Sequence, residues 1–69
     1  MSNLEEERKF ICDLIVESGF SLREMSLKIG KKESYLHQYI KYGKPSKLTD
    51  KDREAIINIT RERNGDRHL

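Results

Sequence analysis

Lys32, Glu33, Ser34, His37 and Gln38 lie within a single seven-residue stretch and offer the hydrogen-bonding groups that DNA base edges answer. A glutamine amide sets a donor beside an acceptor and can pair bidentately with adenine. A lysine donates to guanine, a serine hydroxyl does either, and a carboxylate accepts from cytosine N4. Cations flank the stretch: Arg23 and Lys31 precede it, and Lys41, Lys44 and Lys47 follow. Ammonium and guanidinium groups so placed suit phosphate oxygens, which fix orientation without carrying sequence information. The hydroxyls of Tyr35 and Tyr42 can reach phosphates as well. Plainer roles exist for some of these residues. Ser34 can cap a helix and Glu33 can favour a helix dipole, and Glu33 repels phosphate wherever it meets no cytosine. Tyr35, Tyr39 and Tyr42 recur at helical spacing, and Tyr39 is read as core.

The elements that must hold these side chains are legible in SLREMSLKIGKKESYLHQYI, residues 21–40. Ser21 and Glu24 have the spacing of a reciprocal capping box, and Phe20 and Met25 that of a hydrophobic staple. Leu22, Met25, Ser26 and Ile29 share one face of a helix over about 22–29, which Gly30 ends. After a brief polar turn, Leu36, Tyr39 and Ile40 mark the inner face of a second helix over about 33–42, ended by Gly43. The opposite side of that helix then carries Ser34, His37, Gln38 and Lys41, with Lys32 and Glu33 at its N-terminal end. Two short helices joined so tightly cross steeply and leave the second projecting, the shape that enters a major groove.

A helix over about 4–17 precedes this pair, with Leu4, Phe10, Ile11, Leu14 and Ile15 read as its inner side and Gly19 closing it. Lys44-Pro45-Ser46-Lys47 reads as a loop, because proline disfavours helix at the residue before it. Thr49 caps a fourth helix with Asp50 and Asp52 in its first turn and Ala55, Ile56 and Ile59 facing inward. Helicity should fray near Arg63-Asn64-Gly65, leaving 64–69 as a flexible tail behind one domain over 1–63. Leu27 and Ile57 fit neither inner face and are candidates for a protein interface. The fold expected is all-α: a compact four-helix domain, with a fifth helix left open.

At 69 residues the chain is one small domain that depends on efficient helix packing. Its hydrophobic content is 35% and its charged content 38%, so the core must be small. The net charge of +2 conceals an asymmetry: residues 1–30 sum to −2, residues 31–47 to +4, and the remainder cancels. Positive charge therefore gathers on the second helix of the pair and the loop behind it, the footprint of a phosphate-facing surface. Cys12 is the single cysteine, which excludes an internal disulfide and a cysteine-based zinc site and fits a reducing cytoplasm. No apolar run approaches the roughly 18 residues of a membrane span, and MSNLEEERKF is too acidic for a signal peptide.

Enzyme classes lack their parts. The sequence shows no glycine-rich phosphate loop, no paired carboxylates in a plausible cleft and no nucleophile–base constellation. His37 has no metal-ligating neighbours, since His68, the other histidine, sits in the tail. No catalysis, cofactor, metal, small-molecule substrate or membrane partner is expected.

The run from Ser21 to Pro45 resembles the helix-turn-helix of the phage lambda repressor and Cro-like family. The residues that carry the resemblance are Met25, Ser26, Ile29, the turn glycine Gly30, the inward Leu36 and Tyr39, and Gly43-Lys44-Pro45 behind the second helix. More narrowly, SLREMSLKIG, YLHQYI, GKP and a capped fourth helix look like the N-terminal module of LexA-like phage-type repressors, without a counterpart of their serine–lysine domain. The resemblance implies a lambda-repressor-like domain whose helix-turn-helix core spans 21–42 and which binds double-stranded DNA as a bacterial or phage transcription regulator. It also implies that the N-terminal half of the second helix enters the groove. Lys32, Glu33, Ser34, His37 and Gln38 would then contact bases, and Arg23, Lys31, Tyr35, Lys41, Tyr42, Lys44 and Lys47 phosphates. Lys31 stands where relatives usually place a buried aliphatic, so its ammonium must escape to solvent. Many relatives dimerise through a fifth helix; without it, a monomer or weak homodimer that pairs on DNA is expected. The rival reading is a protein-interaction adaptor on the same scaffold, docking through Leu27 and Ile57.

Overall fold

A computed structural model describes residues 3–65 and places them in four helices: α1, Asn3–Glu17; α2, Leu22–Lys28; α3, Tyr35–Tyr42; and α4, Asp50–Gly65. Strands are absent among the described residues. The shortest principal extent is 19 Å, about two helix diameters, so each helix can bury only one stripe. On α1 that stripe is Ile11 and Ile15, both fully buried at i, i+4 spacing and facing α2, α3 and α4. Phe10, expected inward, is 45% exposed. One residue is about 100° of helix rotation, and a stripe centred on Ile11 and Ile15 leaves Phe10 on its margin. Val16, next to Ile15, lies equally far round on the opposite side and is 62% exposed.

The core joins Ile11 and Ile15 to Met25, Leu36, Tyr39, Leu48 and Ile56, with Phe20, Leu22, Ile29, Tyr35, Ile40 and Ile59 packed around them. Leu48 had no expected role. It fills the core from the loop just ahead of Thr49, whose Oγ1 accepts the Asp52 amide at 3.2 Å and caps α4. Among the described residues, the buried positions of α4 are Asp52, Ile56 and Thr60; Ile59 packs against the core as the periodicity predicts, while Ala55, expected inward, and Ile57, expected outward, are alike only partly covered. α4 ends at Gly65, within the stretch expected to fray, so the expected tail at 64–69 begins inside a helix; residues 66–69 lie outside the described residues.

Local signals set the helix ends. Ser21 Oγ accepts the Glu24 amide and a Glu24 carboxylate oxygen accepts the Ser21 amide, both at 3.0 Å, so the capping box of α2 is complete. Gly30 and Gly43 adopt φ of +80° and +68°, left-handed values that favour glycine, and the amides beyond them turn back onto α2 and α3. Lys31 N–H donates to Ser26 O at 2.9 Å, and Lys44 N–H to Gln38 O at 3.3 Å. Polar contacts also fasten α4 to the rest. Arg53 pairs with Glu7 at 3.0 Å, and Phe20 lies between the Arg63 guanidinium at 4.7 Å and the Lys28 ammonium at 5.5 Å.

Candidate nucleic-acid interface

The position of α3 is decided by a buried serine. Ser26 Oγ donates to Leu22 O at 2.7 Å within α2 and accepts the Leu36 amide at 3.0 Å from the first turn of α3. The side chain is 0% exposed, so this bond satisfies a helix-start amide that water does not reach. Leu36 and Tyr39, also 0% exposed, pin the inner face of α3 to the core. The outer face is thereby fixed: His37, Gln38 and Lys41 are exposed, and Tyr42 is 63% exposed. The Tyr42 ring meets His37 edge-on at 6.4 Å and lies beneath the Lys41 ammonium at 5.6 Å. Burial, with Asp52 secondarily, raises the Tyr35 hydroxyl above its ordinary range, and burial does the same for Tyr39.

α3 begins later than its periodicity suggested. Glu33 and Ser34 form a turn, Ser34 occupies the cap position without a side-chain cap bond, and the first helical residue is Tyr35. Lys32, Glu33 and Ser34 are therefore exposed ahead of α3 rather than on it. With φ −93° and ψ 0°, Ser34 makes no side-chain cap bond, and only its carbonyl reaches into the helix, accepting the Gln38 amide at 3.0 Å.

The expected phosphate contacts divide into two sets. Lys44 and Lys47 are exposed on the loop behind α3 and Lys41 on its outer face; no ion pair among the described residues engages them or Lys32. Three others are held by carboxylates. Arg23 Nε donates to Glu33 Oε2 at 3.1 Å across an exposed gap, which joins an expected phosphate contact to an expected base contact. Lys31 Nζ lies 3.6 Å from Asp52 Oδ2, and the Tyr35 hydroxyl donates to that same oxygen at 3.4 Å. The Lys31 ammonium also sits over the Tyr35 ring at 5.3 Å. It does reach partial exposure, as its place in the turn required, but with a carboxylate partner.

Sequence reasoning overlooked Ser26 and Asp52 as positioning groups. A polar residue on an otherwise apolar face was the available signal for Ser26. Asp52 looked like an ordinary first-turn acid, yet it is only 5% exposed. Of the two expected interface residues, Leu27 is 55% exposed while Ile57 is half-buried. Among the described residues no group of acidic, histidine or cysteine side chains could hold a metal, and no helix is long and apolar enough to cross a membrane. Comparison with protein-family models, curated proteins and solved structures gives no match.

Proposed function

We propose that this chain binds double-stranded DNA sequence-specifically through α3 and regulates transcription, as a bacterial or phage repressor does. The observation that carries the reading is the division of α3 into a wholly buried side, Leu36 and Tyr39, and an exposed side bearing His37, Gln38 and Lys41. An eight-residue helix is about 12 Å long, a length the major groove accepts. In this reading α2, the turn and α3 form a helix-turn-helix, consistent with the resemblance of Ser21 to Pro45 to the lambda repressor and Cro-like family. Gln38 and His37 address base edges from the helix, with Lys32, Glu33 and Ser34 reaching in from the turn. Lys41, Lys44 and Lys47 neutralise phosphates. The protein performs no chemistry: it occupies a promoter or recruits a partner there, acting in the cytoplasm wherever the duplex lies. A single module of this kind covers about 600–1,000 Å², so two copies pairing on adjacent half-sites would extend the sequence read.

The exposure of Leu27 favours a second reading, an adaptor that docks a protein through this side of α2. Duplex binding separates the two. Selection from a random double-stranded pool at low salt should enrich a defined site, and mixed-sequence duplex should bind more weakly. Failure to bind any duplex would overturn the DNA reading and leave the adaptor.

A further inference from the structure

Asp52 is a nearly buried carboxylate on the first turn of α4, yet its Oδ2 faces the turn that leads into α3. That one oxygen meets the Lys31 ammonium at 3.6 Å and the Tyr35 hydroxyl at 3.4 Å. Lys31 is the first residue after the turn glycine, and Tyr35 is the first residue of α3. The start of α3 is thus held from two sides, by Ser26 of α2 through the Leu36 amide and by Asp52 of α4 through Tyr35. The same carboxylate neutralises one of the cations nearest the exposed turn residues Lys32, Glu33 and Ser34.

We infer that Asp52 is a positioning residue for sequence discrimination, and that it works by withholding Lys31 from phosphate while fixing the first residue of α3. This rests on the DNA reading above and deepens it. A lysine on a flexible four-carbon stem is a point charge that serves any phosphate in reach, and each phosphate it neutralises adds to binding that is indifferent to sequence. Lys31 bound to Asp52 and laid over the Tyr35 ring makes no such contribution. Lys41, on the exposed face of α3, and Lys44 and Lys47, on the loop behind it, carry that load instead. Replacing the carboxylate with an amide of equal size removes the charge that holds Lys31 and keeps an acceptor for Tyr35. It should therefore free a cation without emptying the site.

The test compares wild type with Asp52→Asn, Lys31→Met and the double variant, each measured on a selected site and on mixed-sequence duplex over a range of salt. Asp52→Asn should bind mixed-sequence duplex several-fold more tightly at low salt, with a salt slope steeper by about 0.9. Its preference for the selected site should fall. Lys31→Met should leave the wild-type slope unchanged, and the double variant should return to it. A purely structural role for Asp52 would weaken binding to both duplexes and leave the slope where it was, and that result overturns the inference. A Lys31→Met slope shallower by one phosphate would overturn it as well, because Lys31 would already be on DNA. Amine-reactive labelling of the free protein reads the tether without DNA and without Asp52→Asn needing to fold. Lys31 should react more slowly than the neighbouring Lys32 in wild type and stay slow in Tyr35→Phe, which keeps both the carboxylate and the ring that hold it; equal rates for the two lysines in wild type contradict the tether. Wild-type protein that binds no duplex overturns the DNA reading and this inference together, whereas wild-type binding with an unaltered Asp52→Asn slope overturns this inference alone.

Discussion

The α2–turn–α3 segment and the α1–α4 pair are held together by different means. In the first, directional polar bonds specify geometry: the Ser21–Glu24 capping box, the Ser26 bridge to Leu36, and left-handed turns at Gly30 and Gly43. In the second, Ile11, Ile15 and Ile56 meet through non-directional packing, aided by the half-exposed Glu7–Arg53 pair. Apolar packing is non-directional, whereas a buried hydrogen bond fixes both a distance and an angle. Strict geometry is thus concentrated where the exposed face of α3 is set, and the remainder supplies the burial that a small domain needs. A recognition surface benefits from this arrangement, since its side chains must sit on a rigid element to discriminate one base from another.

The largest perturbation should come from Leu36→Ala. Leu36 is wholly buried and joins both regions, and its truncation should cost about 2–5 kcal/mol, a large share of a small domain's stability. Denaturant unfolding measures this, and an unchanged midpoint would show that α3 is rotated from the position described. Ser26→Ala comes next. It strands the Leu36 amide in the interior and should cost roughly 1–3 kcal/mol, despite alanine's better helix propensity. Weakening the other region's partly exposed ion pair should do less: Glu7→Gln keeps a polar side chain beside Arg53 and should cost about 0.2–1 kcal/mol. If Glu7→Gln proves the more damaging of the two, the contrast between the regions is reversed.

The smallest effect concerns pH. The Glu24 carboxylate is held below its ordinary range, chiefly by accepting the Ser21 amide and then by its side-chain contact with Ser21. A group whose folded value is depressed stabilises above its unfolded value, and that contribution is lost as pH falls through the folded value. Stability should therefore decline slightly on acidification below the ordinary glutamate range, and Glu24→Gln should flatten that decline. Carboxyl carbon chemical shifts give the titration midpoint directly, and a midpoint at or above the ordinary value would contradict the cap.

Local signals carried much of this fold in the sequence. Ser21, Glu24, Gly30 and Gly43 mark helix ends through bonds that close within a few residues, and the apolar spacing of Met25, Leu36, Tyr39 and Ile56 gives the inner faces. What stayed hidden depends on distant partners. The Ser26–Leu36 and Arg23–Glu33 bonds bridge ten residues and the Tyr35–Asp52 bond seventeen, separations at which no periodicity announces a pair. Hence Lys31, Tyr35 and Arg23 read as cations and hydroxyls open to phosphate, although each meets a carboxylate. Phe10 escaped for another reason: spacing alone does not tell how wide a buried stripe is, and in a thin domain it is narrow.

As proposed, the exposed side of α3 reads sequence while the lysines behind it hold backbone. Titrating wild type, Gln38→Ala and Lys44→Ala against a selected site and against mixed-sequence duplex over a range of salt tests it most directly. Gln38→Ala should weaken the selected site by about 1–3 kcal/mol and leave mixed-sequence binding nearly intact. Lys44→Ala should weaken both duplexes alike and reduce the salt slope by about one. Identical losses for the two variants on both duplexes would contradict it.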